Sequence, residues 1–176
     1  RIDGQIQRAS EVVNQVRSYA KGQRQRQAVD VGKTAEKILR DIQASSPDTE
    51  VEFRREDEGF IVEANPIELE IILINLVKNA IEVVKDKDSG RVVVALFSEG
   101  NSVCIKVEDN GEKMSDVEWK QLSQLAMATT KHSGLGFGLS IVAALAEDLG
   151  GRVNFERIPS GGLSVLVRLP SAKESS

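Results

Sequence analysis

Residues 67–84 read IELEIILINLVKNAIEVV, a run that is apolar on nearly every side of a 3.6-residue repeat. A helix without a polar face has to be buried. Asn65-Pro66 starts it, with Asn65 as an N-cap acceptor and Pro66 at the first helical position, where no amide donor is needed. Among the polar residues that interrupt the run, Asn75, Asn79 and Glu82 fall at i, i+4 and i+7 and project from one face. Buried amides cost free energy unless they are hydrogen-bonded or ligate something. Two readings stand side by side. The stripe bridges neighbouring backbone, or it holds a ligand, since an asparagine oxygen is a hard neutral ligand suited to a Mg²⁺ that bridges phosphates.

Around that helix, short strands alternate with further helices. Asp30 is an N-cap for a helix whose apolar face is Val31, Ala35, Ile38, Leu39 and Ile42, and Pro47 ends it. Strands are predicted near 50–55 and 60–63, with Glu58-Gly59 in the turn. A hairpin over 91–98 and 102–108 turns at Gly100-Asn101, with Val103, Ile105 and Val107 on one face. Ser115 and Glu118 have the spacing of a capping box. A glycine-rich turn leads into a helix from about 135 to 149, and a last hairpin, 152–158 and 163–169, turns at Pro159-Ser160-Gly161-Gly162. The fold expected is α+β: a two-layer α/β sandwich in which a mixed, mostly antiparallel sheet is covered on one face by helices.

The 176 residues suffice for one domain with a hydrophobic core plus a helical appendage. A formal charge of −4 gives no broad cationic surface, which argues against nucleic acid or an anionic membrane as partner. The single cysteine, Cys104, excludes an internal disulfide and a multi-cysteine metal site, and its apolar surroundings fit a buried structural thiol. No stretch is long and apolar enough to span a membrane, and no signal peptide is expected in this stretch. The sequence opens on Arg1 inside a helical pattern and is expected to be a piece of something longer. In that opening segment Ile2, Ile6, Ala9, Val13, Val16 and Ala20 keep a heptad-like seam, which suits a helix of a dimeric bundle or one packed on its own domain. The division expected is 1–28 for that helix, 29–170 for the main domain and 171–176 for a frayed tail.

Two more constellations carry chemistry. Asp109-Asn110-Gly111 closes a strand, and an inward carboxylate there can accept a hydrogen bond from an exocyclic amine such as that of adenine; a plain turn is the alternative. Thr129-Thr130-Lys131 precedes Gly134-Leu135-Gly136-Phe137-Gly138-Leu139. Alternate glycines before a helix let backbone amides approach phosphate oxygens, and Lys131 adds a mobile positive charge. A flexible glycine hinge would look the same. The spacing matches neither the P-loop nor the dinucleotide fingerprint.

In this order the constellations resemble the nucleotide-binding domain of sensor histidine kinases, in the superfamily that includes gyrase, mismatch-repair and heat-shock chaperone ATPases. Asn75-Leu76-Val77-Lys78-Asn79-Ala80 resembles the family's N box, Asp109-Asn110-Gly111 its first glycine box and Gly134 to Gly138 its second. The resemblance runs from about Asp30 to Pro170. It implies an ATP site built from Asn79, Glu82, Asp109, Gly111, Thr130, Lys131, Gly134, Gly136, Gly138 and Leu139. Asn75 and Asn79 would be the catalytic pair, Asn79 the Mg²⁺ ligand and Asp109 the partner of the adenine amine. The segment between the glycine boxes would be a mobile lid. The first helix is similar to the second helix of the family's dimerisation hairpin, implying a homodimer, a phosphoacceptor helix and a response regulator as partners. A cytoplasmic location follows, whether or not the parent is membrane-anchored.

One substitution separates phosphotransfer from hydrolysis. Hydrolysing members of the superfamily carry a glutamate one helical turn before the magnesium asparagine, as general base for water. Asn75 stands there and cannot accept a proton near neutral pH. The only histidine, His132, lies in the lid segment rather than on an acceptor helix, so this chain alone is not expected to autophosphorylate at the usual site. Other departures are Lys113, where the family usually has the second glycine of its first box, Ala126-Met127-Ala128 in place of an aromatic run, and Leu163 where threonine is frequent. These departures keep a second expectation open: a degenerate kinase-like domain that works by dimerisation or partner docking, without catalysis.

Overall fold

The computed structural model describes residues 26–56, 58–127 and 137–172. The heptad-like segment, residues 1–25, and the end of the tail lie outside them. The chain enters through β1 (Gln27–Asp30), then α1 (Val31–Ser45), β2 (Glu50–Arg55), β3 (Ile61–Ala64) and the long helix α2 (Pro66–Val84). There follow β4 (Arg91–Glu99), β5 (Ser102–Asp109), α3 (Asp116–Met127), α4 (Phe137–Asp148), β6 (Arg152–Arg157) and β7 (Leu163–Pro170). Five strands form the main sheet in the order β2-β4-β5-β7-β6, antiparallel except for the β2–β4 pair. The architecture is the expected α+β sandwich.

Alternation places the core. Val92, Val94 and Leu96 on β4, Val103, Ile105 and Val107 on β5, and Val165, Val167 and Leu169 on β7 are all buried. Onto that face α2 lays Leu69, Ile72, Leu73, Leu76 and Val77, also buried. Each such side chain contributes about 1.5–3 kcal/mol on leaving water, which is why the greasy run fixes the centre of the domain.

The local signals act as the sequence indicates. Asp30 Oδ1 accepts the Lys33 amide at 3.1 Å, and Asn65 Oδ1 accepts the Ile67 amide at 2.9 Å. Ser115 and Glu118 exchange reciprocal bonds of 2.7 and 3.2 Å, closing the capping box. Gly100, at φ +59, makes the β4–β5 turn.

Two features differ from the sequence reading. Gln27 and Ala28, which the sequence gives to the preceding segment, lie in β1, opposite Ala64 and Glu63 of β3. The two strands either side of Gly59 do not pair with each other: β2 joins the main sheet and β3 joins β1. Phe60, 1% exposed, is drawn into the core between them, and its carbonyl accepts the Val31 amide at 2.8 Å, pulling the chain toward α1.

Candidate functional site

Asp109 ends β5 on the core side of the sheet and is 6% exposed. Its Oδ1 accepts the Gly111 amide at 2.9 Å, and the Leu163 amide donates to the same carboxylate. Burial pushes the carboxyl above its ordinary range, while those two amides and the Lys87 ammonium pull it back without cancelling the shift.

The neighbouring asparagine holds this carboxylate in place. Asn110 Oδ1 accepts the Arg91 amide at 2.7 Å, and its Nδ2 donates to the Ser89 carbonyl at 2.7 Å. Lys87 Nζ donates to the Asn110 carbonyl. The strand end is thereby stapled to the loop that leaves α2. Glycine is required on both sides of Asp109. A Cβ on Gly162, whose φ is +102, would stand 2.0 Å from the Asp109 carbonyl oxygen, and one on Gly111 would stand 2.4 Å from Val83 Cγ1.

Beside Asp109 opens a cavity of about 170 Å³, into which Asn79 and Leu139 also face. Its walls are otherwise mainly apolar, formed by Val83, Met114, Leu122 and Leu163, with Glu112 and Gly162 completing them. Asn79 from α2, Asp109 from β5 and Leu139 from α4 thus share one hollow. Among the described residues the Asn79 carboxamide makes no hydrogen bond.

Asn75 sits one turn earlier. Its Nδ2 donates to the Ile71 carbonyl at 2.7 Å. A Cβ on Gly138 would meet Asn75 Oδ1 at 3.3 Å, so this glycine lets the first turn of α4 approach α2. Glu82 does not join the cavity. It is exposed and pairs with Lys85 at 2.6 Å. At about 100° per residue, Glu82 and Val83 leave α2 on opposite sides of Asn79, and Val83 is the one turned to the hollow. Gly111 packs behind Asp109. Thr130, Lys131, Gly134, Gly136 and the lone His132 lie outside the described residues. Lys113 is exposed and absent from the cavity lining, although its neighbours Glu112 and Met114 belong to it.

Sequence reasoning missed Val83, Met114 and Leu122 as apolar walls, and noted Leu163 and the Gly161-Gly162 turn only as a departure from the family pattern and a hairpin turn. Val83 had a usable signal, since it stands four residues after Asn79 on the same helix. Met114 and Leu122 had none, because the segment after Gly111 shows few core signals.

The residues present fit an adenine nucleotide. An apolar slot with one inward carboxylate suits a flat heterocycle bearing an exocyclic amine. Among the described residues no cluster of three or more His, Cys, Asp or Glu could hold a metal ion, so a divalent ion at Asn79 would be shared with phosphate oxygens. Among the described residues no helix is long and apolar enough to cross a membrane.

Known proteins carry the same arrangement of elements. The catalytic domain of histidine kinase ThkA, in a nucleotide-free form, superimposes with a TM-score of 0.69 at 21% identity, covering 86% of this chain and 100% of that one. The cytoplasmic segment of histidine kinase QseC gives 0.66 at 18% identity, covering 95% of each chain. In sequence, the chain is 36% identical over 118 residues to the sensor protein DegM of Bacillus sp. (strain B21-2), covering 67% of this chain and 31% of DegM. It is 27% identical over 175 residues to the sensor protein FixL of Bradyrhizobium diazoefficiens, covering 97% of this chain and 34% of FixL. The chain thus spans about a third of the length of these curated relatives. A family model described as histidine kinase-, DNA gyrase B- and HSP90-like ATPase matches residues 64–173, more than half of the chain, and the chain belongs to that family.

Proposed function

We propose that the chain binds ATP with Mg²⁺ in the Asp109 cavity and transfers the γ-phosphoryl group to a histidine that this chain does not contain, as the catalytic part of a two-component sensor kinase. The observation that carries this reading is the convergence of Asn79 and Asp109 on one largely apolar hollow. Asp109 would accept the adenine amine, with Leu139, Met114 and Leu163 enclosing the base. Mg²⁺, held at the Asn79 oxygen, would neutralise charge on the phosphates. The phosphate contacts fall to Thr130, Lys131, Gly134 and Gly136 on sequence grounds, with Gly138 setting the approach of α4 to α2.

Asn75 favours transfer over hydrolysis. Its amide nitrogen is committed to the Ile71 carbonyl, and a carboxamide offers no base for water. An imidazole nucleophile needs no such base, so positioning and charge neutralisation carry the reaction. The acceptor would reach the site from a dimerisation hairpin whose second helix would be formed by the segment ahead of β1. A response regulator would then take the phosphoryl group, all on the cytoplasmic side.

Incubation of the chain with γ-labelled ATP and an acceptor-bearing hairpin tests this. Label should pass to the hairpin histidine, with little steady-state hydrolysis, and Asn79→Ala should abolish the transfer. Rapid ATP turnover by the chain alone, lost in Asn79→Ala, would overturn the assignment to phosphotransfer. Magnesium-independent failure to bind nucleotide would point instead to a degenerate docking domain.

A further inference from the structure

The register of β6 and β7 puts Arg152 directly opposite Arg168, so both guanidinium groups rise from the face of the sheet away from the helices. Like charges facing each other across a sheet oppose its formation. Elsewhere this face avoids them. Arg91 meets Glu50 and Glu52, Arg54 meets Glu52, and Lys106 meets Glu108. At the Arg152 end the matching stops. Arg168 reaches Glu99 at 3.4 Å and donates to Asn154 Oδ1 at 2.8 Å, whereas Arg152 has no ion pair or hydrogen bond among the described residues.

The two arginines border a hollow of about 400 Å³ between the β4–β5 turn and the turn from α4 into β6. Asn101 and Ser102 line it, and among the described residues their side chains make no hydrogen bond, so an amide donor and a hydroxyl donor remain available. Gly150 and Gly151 leave bare backbone along another side. The C-terminus of α4 ends nearby, and its free carbonyls would repel an anion. They are already satisfied: Gly150 donates to the Glu147 carbonyl at 2.9 Å, Gly151 to Ala146 at 2.8 Å, and Arg26 to Asp148 at 2.6 Å.

We propose that this hollow is a second ligand site, for phosphate or a small phosphate monoester, gripped by Arg152 and Arg168 with Asn101 and Ser102. Donors on four separate side chains exceed the two oxygens of a carboxylate and suit the three terminal oxygens of a monoester. Glu99 offsets one of the two positive charges, so binding is weak, on the order of millimolar, and sensitive to salt. The site lies at the end of β5 and β7 remote from Asp109 and Leu163, and it stands whether or not ATP binds there.

Titration of the ¹⁵N-labelled 176-residue chain with inorganic phosphate, glycerol 3-phosphate and acetate, at constant ionic strength, tests it through the amide resonances of Ser102, Gly150 and Gly151. Saturable shifts with either phosphate compound, weakened about tenfold in Arg152→Ala, support the site, and the tighter binder names the source. Arg152 is exposed, so its removal should leave the amide spectrum dispersed and the comparison interpretable. Three results would overturn the site: acetate shifts equal to those of phosphate, shifts no greater than chloride produces, or wild-type affinity in Arg152→Ala.

Discussion

At one end of β5 and β7, Asp109 keeps a carboxylate 6% exposed among Val83, Met114 and Leu163; at the other, Arg152 and Arg168 stand at an open hollow beside water. The same two strands carry both groups. The buried charge is held by two backbone amides and stapled by Asn110, and its carboxyl is still pushed upward. The exposed charges are screened by solvent and need little support. A charge kept out of water at such cost suits an end where a specific polar partner would bind strongly, whereas the open end suits a weak, salt-sensitive one.

The largest effect should come from Gly162→Ala at the buried end. The new methyl would overlap the Asp109 carbonyl and the backbone sits at φ +102, so a loss of about 2–4 kcal/mol is expected in urea unfolding. A loss below 0.5 kcal/mol would mean the strand end yields easily and does not grip Asp109. Next comes Asn110→Ala, which removes both carboxamide bonds to the α2–β4 loop; about 1–2 kcal/mol should disappear.

The way this contrast was written into the sequence is uneven. Asp30, Asn65-Pro66 and Ser115 with Glu118 announced their helix starts because capping is local chemistry between residues two or three apart. Asn79 and Asp109, which line the hollow, stood out in the sequence because polar residues in apolar runs need a reason. The β1–β3 pair was not legible: β1 has four residues and finds its partner more than thirty positions away. Glu82 shares the helical spacing of Asn79 yet lies outside the hollow, because spacing fixes a direction from the axis but not which side the cavity occupies. The floor under Asp109 comes from Gly162, whose closeness to it exists only after β5 and β7 pair.

A smaller effect concerns pH. Burial raises the folded carboxyl of Asp109 above its ordinary value of about 3.9, so the folded state holds that proton more tightly than the unfolded one. The stability linked to this group is therefore fully present below the ordinary value and is lost as pH rises through the folded value. Asp109→Asn, which carries no charge, should raise Tm relative to wild type at pH 7 and should lose that advantage below about pH 4. An advantage that grows in acid would reverse the sign. The smallest effect belongs to the open end, where Glu99→Gln should shift stability by less than about 0.5 kcal/mol, as expected for an exposed ion pair.

The most direct measurement is the titration of a fluorescent ATP analogue into wild type, Asp109→Asn and Asn79→Ala, with and without Mg²⁺. Saturable binding should be weakened about 10–100-fold by Asp109→Asn in either condition, from loss of a hydrogen bond to a charged acceptor. Asn79→Ala should remove only the part that magnesium adds. Equal affinities in all three proteins would mean that the hollow shared by Asn79 and Asp109 is not where nucleotide binds.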